Sequence, residues 1–377
     1  MSRFSEDQIA HASSLSGPLD RDGSIEFLKA LDIKMSVGHW SAGDFLDRFA
    51  TLGYHSDDPG FGNAFEDQCR RTKAAGIDFI EIHQHVFEKE LNGDLDFEAM
   101  KRAQDGFLPE LGMKITTCNI NTWTNPRFRL GGACNPDPAL RREALEEILK
   151  AVEICKTLDI PIISIWPGSD GADYHFQIDY LESLEWFAEA LVEANKACVE
   201  AGIKLAIEPK PYEPRELYMI VPTAGSAILV ASRVNSVCGG TNCGITVDYG
   251  HQKMEATTAS TACDLAEFAG VPIFKFDIND ARQGRNDQDL IFGTVSIPES
   301  VEYLFTTFLR DYRGFYSQDQ FTYRDDPTRS MERSMVNFAN LALKAVRLYG
   351  RKEELRAAQA AGTGPDILDL VSPTLMS

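Results

Sequence analysis

Residues 244–251 read GITVDYGH. Ile245, Thr246 and Val247 form a β-branched run suited to a buried strand, Asp248 stands at its end, and His251 follows three residues later at a helix start. The same arrangement recurs along the chain. Glu208 ends a strand-like run in AIEPKP (206–211), Asp277 in FKFDIN (274–279) and Asp319 in FYSQDQF (315–321). Asp287 and Asp289 lie in NDQD (286–289), just past the third of these. Seven ligand-type side chains at one end of a parallel sheet would repel one another unless cations held them. The pattern therefore predicts a divalent metal centre, with two ions.

Working outward, strand-like and helix-like segments alternate from about residue 33. Strands are expected at 33–38, 77–83, 113–119, 161–166, 203–208, 244–248, 272–277 and 314–319. Helical periodicity is clearest over 138–157, where Leu140, Leu145, Ile148, Leu149 and Val152 share a face, and over 180–200. Gly112 and Gly202 each stand where a helix should stop before the next strand. Eight such units fit a (β/α)8 TIM barrel, an α/β fold that typically takes ~250 residues. A doubly wound open sheet fits less well, because polar residues close nearly every strand instead of gathering at one crossover. The barrel is expected over 1–327, including an N-terminal extension over about 1–32. A C-terminal helical arm for oligomerisation is expected over 328–377, split near Gly350.

Composition bounds the rest. Of 377 residues, 44% are hydrophobic and 25% charged, ordinary for a globular protein with a large core. The formal net charge is −20, from 57 acidic and 37 basic residues, which disfavours nucleic acid and anionic membranes as partners. The eight cysteines show no framework or zinc-site spacing, so reduced thiols are expected. The N-terminus carries no signal pattern and no apolar run approaches membrane-spanning length; the expected location is cytoplasmic.

Individual residues sharpen the chemistry. The prolines after Glu208 fix its loop, which suits a ligand or general base, and Lys210 shares its face at two residues' distance. Asp248 and His251, at i and i+3 across a turn, can reach one ion, and a carboxylate with a neutral imidazole suits Mg, Mn or Co. Trp40 and Trp166 follow the first and fourth strands and would wall a small substrate site. His83 ends the second strand and His85 follows it.

These segments resemble the xylose isomerase family, in its shorter class, over about residues 33–350. The resemblance is carried by KMSVGHWSAG (34–43), TTCNINTWTNPRFRLGG (116–132), IWPGSDG (165–171), AIEPKPYEPR (206–215), VPTAG (221–225), GITVDYGHQKM (244–254) and FKFDIN followed by NDQDLIFG (286–293). It implies a metal-dependent aldose–ketose isomerase with two divalent cations (Mg, Mn or Co), assembled as a homotetramer. By matched position, Glu208, Asp248, Asp277 and Asp319 would hold one cation, and Asp248, His251, Asp287 and Asp289 the other. Lys210 would hydrogen-bond the C1 oxygen side of the sugar, His83 would assist ring opening, and Trp40 and Trp166 would exclude water.

Departures from the family concentrate in the substrate walls. Asp248 stands where a glutamate is usual. The acidic run that follows the ring-opening histidine, one member of which orients the imidazole, reads Gln84, His85, Val86. Asn121 takes the place of a channel-wall phenylalanine, and Phe321 that of a lysine. The WGGREG loop reads WPGSDG. The preferred substrate is therefore not necessarily xylose, and Asn121 offers hydrogen-bonding capacity that a different or more hydroxylated sugar would use. No dense basic cluster marks a phosphate site, so the sugar is expected to be unphosphorylated. Rival readings are an epimerase, dehydratase or C-glycoside-cleaving enzyme that abstracts a proton through Glu208 or Lys210, and a sugar-binding homologue without turnover. Phosphodiester cleavage is disfavoured by the charge and by only seven histidines.

Overall fold

A computed structural model describes residues 2–46 and 49–377. Its frame is a parallel barrel of β1 (Lys34–Val37), β2 (Phe79–His83), β3 (Lys114–Asn119), β4 (Ile162–Ile165), β5 (Lys204–Ile207), β6 (Cys243–Asp248), β7 (Ile273–Ile278) and β8 (Phe315–Gln318). Each strand pairs in parallel with its sequence neighbours, β8 pairs with β1, and a parallel bridge from Gly38 to Glu81 joins β1 to β2. All eight strands lie where the alternation places them. Their period of two decides the site. In β7, Phe276 and Ile278 face the helices while Lys275 and Asp277 face the barrel interior, and Thr246 and Asp248 do the same in β6. Inside, Ser36 meets Thr116 at 3.0 Å and Ser164 meets Thr246 at 3.1 Å, so interior hydroxyls satisfy one another below the mouth.

The outer helices follow local chemistry. Pro138–Leu158 begins at Asp137, whose carboxylate accepts from the Ala139 backbone NH. Tyr180–Ala201 ends at Gly202, φ 72°, and Leu108–Leu111 at Gly112, φ 62°; both glycines hold the left-handed turn that releases the chain into the next strand.

The expected arm over 328–377 begins with helix Pro327–Gly350, which lies on the chain's own barrel as its eighth outer helix. Met331, Met335, Phe338, Ala342 and Val346 on one stripe are buried. An apolar stripe of that width needs a partner, and this one finds it on the chain's own wall, beside helices Ile297–Leu309 and Arg21–Ala30. The N-terminal segment is tied to the same helix, with Arg347 donating to the Leu15 carbonyl at 2.6 Å and Asn340 bonding both polar backbone groups of Leu19. Only Lys352–Ala361 and Gly364–Met376 lie beyond it. They fold back, with Lys344 donating to the Thr374 carbonyl at 3.1 Å and Leu370, Val371 and Leu375 packed on the core.

Candidate metal centre

The carboxylates expected at strand ends converge at the C-terminal mouth of the barrel. Donor atoms of Glu208, Asp248, Asp277 and Asp319 all lie within 4.8 Å of one another, and so do those of Glu208, Asp248 and His251. Glu208 and Asp248 thus belong to two overlapping groups. Sequence reasoning expected Asp248 alone to be shared. Asp248 caps helix Tyr249–Met254, its Oδ1 accepting from the His251 backbone NH at 2.8 Å. That cap turns the i, i+3 spacing into a placed pair, with His251 Nδ1 3.6 Å from Glu208 Oε1 and 3.8 Å from Asp248 Oδ1.

Asp287 reaches the second group through His251, whose Nε2 lies 3.0 Å from its Oδ2, and the same oxygen accepts from Lys210 Nζ at 2.8 Å. Asp289, at φ 45°, turns its Oδ1 to Asn279 Nδ2 at 2.9 Å. Asn279 also donates to Asp248 Oδ2 at 3.1 Å and accepts from the Gly250 NH at 2.7 Å, so one amide aligns ligands from two loops. It lies two residues after Asp277, on the same face, where the period of two points to it. Asp319 accepts from Trp40 Nε1 at 2.6 Å.

Lys275 and Glu81 were not anticipated. Lys275 Nζ is 2.7 Å from Glu81 Oε2 and 2.9 Å from Asp277 Oδ2, with both side chains of the first pair buried. Glu81 also accepts from Asn119 Nδ2 at 3.0 Å and from Ser317 Oγ. A fixed ammonium therefore lies beneath the carboxylate cluster.

The electrostatics show that this cation does not balance the site. Burial, with the mutual repulsion of neighbouring carboxylates, pushes Glu208, Asp248, Asp277, Asp289 and Asp319 above the usual carboxylate range. Asp287 goes the other way, because Lys210 and His251 overcome its burial. Oδ1 of Asp277, Oδ1 of Asp287 and Nδ1 of His251 are buried without a hydrogen-bond partner among the described residues, and Oδ2 of Asp277 meets only the Lys275 ammonium. Hard oxygen donors with one imidazole, poorly satisfied and mutually repelling, fit divalent cations of the Mg, Mn or Co type.

Burial works to lower His251, yet the charges of Asp248 and Asp287 and the bond to Asp287 hold it at about 9. A cation bound there must displace that proton. Mn²⁺ uptake at pH 7 is therefore expected to release protons, read by calorimetry in two buffers of different ionisation heat. Affinity should rise with pH until His251 is neutral; pH-independent uptake without proton release would contradict a ligand role for it.

Above the carboxylates opens a cavity of about 590 Å³, walled by Trp40, His83, Asn121, Trp123, Trp166 and Lys210, with Phe45, Leu91 and Phe321 towards its lip. Lys210 Nζ lies 5.2 Å from the Trp166 ring centre, and the buried Trp166 Nε1 has no hydrogen-bond partner. His83 stacks on Trp40 at 4.4 Å, and burial together with nearby His39 and His85 keeps it well below its ordinary pKa. Asn121 reaches the wall, but its amide is committed. Oδ1 accepts from the Thr124 NH at 3.0 Å, and Nδ2 lies 2.9 Å from Thr124 Oγ1 and 3.2 Å from His85 Nδ1. The hydrogen-bonding capacity expected of Asn121 is spent on holding its loop and His85.

Carboxylate groups of this kind at the C-terminal mouth of a closed (β/α)8 barrel define a barrel protein with a candidate two-cation centre. Residues 69–336 match the family described as xylose isomerase-like TIM barrel, and the chain belongs to that family. The xylose isomerase of Thermus thermophilus is 31% identical over 193 residues, covering 50% of this chain and 48% of that protein. The xylose isomerase of Thermus caldophilus is 25% identical over 256 residues, 66% of this chain and 64% of that one. The chain thus spans about half of the first relative's length and less than two thirds of the second's. The solved structure of D-psicose 3-epimerase in the presence of D-fructose aligns at a TM-score of 0.61 and 16% identity, covering 84% of this chain and 100% of that one. That likeness is one of fold.

Proposed function

We propose that the protein is a metal-dependent sugar isomerase that interconverts the aldose and ketose forms of an unphosphorylated sugar by a hydride shift between C1 and C2. The observation that carries this reading is the pair of overlapping ligand groups sharing Glu208 and Asp248 beneath a cavity walled by Trp40 and Trp166. Glu208, Asp248, Asp277 and Asp319 would hold one cation; Asp248 and His251, with Asp287 and Asp289, would hold the second. The cations would supply grip on substrate hydroxyls and polarisation of the carbonyl.

The chain's own residues do the rest. Lys210, held protonated by Asp287 and Asp289 against its burial, would present an ammonium to the oxygen on C1. His83 is a neutral imidazole at the cavity wall, suited to exchange a proton with a ring hydroxyl. Trp40 and Trp166 keep bulk water away, which preserves the field at the reacting carbons. The cavity's cations, Lys210 and Lys275, are already paired with carboxylates, which supports an unphosphorylated substrate. A second reading, epimerisation by proton abstraction, is favoured by Glu208, whose burial makes it a stronger base than a free carboxylate.

The test is a panel of free pentoses and hexoses offered to protein loaded with Mg, Mn or Co, scored for ketose formation with and without chelator. Turnover that chelation abolishes is expected. Silence with bound cations would favour a sugar-binding homologue. Assembly as a homotetramer in the cytoplasm belongs to the same proposal. Among the described residues no helix is long and apolar enough to cross a membrane. Light scattering at the mass of four chains would support the tetramer, and a monomer would refute it.

A further inference from the structure

Among the described residues no carboxylate pairs with His83, yet its imidazole is not loose. Its Nδ1 lies 3.1 Å from His39 Nε2, and His39 Nδ1 lies 3.1 Å from Gln68 Oε1. Gln68 in turn donates from Nε2 to the Asn63 backbone carbonyl at 3.2 Å and to Asn63 Oδ1 at 3.3 Å. His39 and Gln68 are almost fully buried, at 3% and 4% exposure, so water does not compete for these groups.

The order of donors follows link by link. Two oxygen acceptors at Asn63 fix the amide nitrogen of Gln68, which leaves Oε1 facing His39. An oxygen there requires the proton of neutral His39 to sit on Nδ1, so His39 Nε2 is a bare lone pair. A lone pair facing His83 Nδ1 requires the proton of His83 on Nδ1. Nε2 of His83 is then the bare, basic nitrogen left for the cavity. Each hydrogen bond sets the tautomer of the next ring.

We propose that His39 and Gln68 are positioning residues that fix His83 as the Nδ1-protonated tautomer, so that its Nε2 accepts a proton from a cyclic sugar's hydroxyl during ring opening. When His83 takes that proton on Nε2, its Nδ1 proton can pass to His39 Nε2, and the charge is shared between two rings in place of a ring and a carboxylate. The proton returns by the same path to the ring oxygen released as the sugar opens, so no proton is gained or lost overall. The role in ring opening rests on the sugar isomerase reading; the tautomer assignment does not.

Two measurements test it. On metal-loaded enzyme, His39→Leu and Gln68→Met are expected to lower kcat on a pentose by roughly 10²-fold, the low end of a lost acid–base contribution. Glyceraldehyde, a three-carbon aldose that cannot close a five- or six-membered ring, should lose less than about threefold by the same comparison. Gln68→Glu, which keeps an acceptor facing His39, should recover most of the pentose activity. Equal losses on both sugars, or none on the pentose, would overturn the ring-opening role.

Nitrogen-15 NMR of histidine-labelled protein, with His83 assigned by its own variant, reads the tautomer whether or not any sugar turns over. Wild type should show Nδ1 protonated and Nε2 bare, and His39→Leu a mixture. A proton on His83 Nε2 in wild type would overturn the assignment. So would a third bound cation that is lost in His39→Leu, because donor atoms of His39, His83 and His85 also lie within 4.8 Å of one another.

Discussion

Alanine at both Asp287 and Asp289 is expected to lower kcat/KM on the preferred sugar by at least ~10³-fold, about 4 kcal/mol of transition-state stabilisation. Asp287 is the point where Lys210 and His251 meet, both bonding to its Oδ2 at 2.8 and 3.0 Å. Without it Lys210 and His251 lose the acceptor they share, and the second ligand group loses its outer wall. Asp289 contributes through Asn279, which also steadies Asp248. Both aspartates lie on a loop after β7 and not in the barrel wall, so the far-UV spectrum should be unchanged. Cation binding counted by equilibrium dialysis should fall from two equivalents to one. Full activity in this variant would remove the second cation from the account.

Lys275→Met is expected to destabilise the cation-free protein by about 3–5 kcal/mol, the cost of breaking a buried ion pair from one side. Lys275 is 1% exposed and lies between Glu81 and Asp277, themselves fully buried, so methionine leaves two carboxylates without their ammonium. Removing Glu81 as well, in Lys275→Met/Glu81→Gln, should recover part of the loss, because one of the stranded charges goes with it. Urea unfolding reads both numbers. A loss below about 1 kcal/mol in the single variant would mean that water or proton uptake already compensates the pair.

The frame was legible because carboxylates interrupt apolar strands at their C-terminal ends. Asp248 and Asp277 are the clearest cases, each following a buried run and each turned inward by the period of two. The same period, applied one step further, points to Lys275 and Asn279 on either side of Asp277. Their partners were not legible. Glu81 meets Lys275 across 194 positions, and His39 meets His83 across 44, separations that only closure of the barrel brings to contact. Asn121 reads as a polar wall residue until its own turn is seen to use its amide. The stripe from Met331 to Val346 requires a partner, and periodicity alone does not say whether that partner is the chain's own wall or a second copy.

The most direct measurement is the conversion of an aldose by the metal-loaded enzyme in deuterated water, with the deuterium content of C1 and C2 in the product read by NMR. A hydride shift moves the hydrogen from carbon to carbon, so the ketose should form without solvent deuterium on carbon. Deuterium at the reacting carbon would show that a base such as Glu208 abstracts a proton, and would contradict the hydride shift in favour of proton-abstraction chemistry.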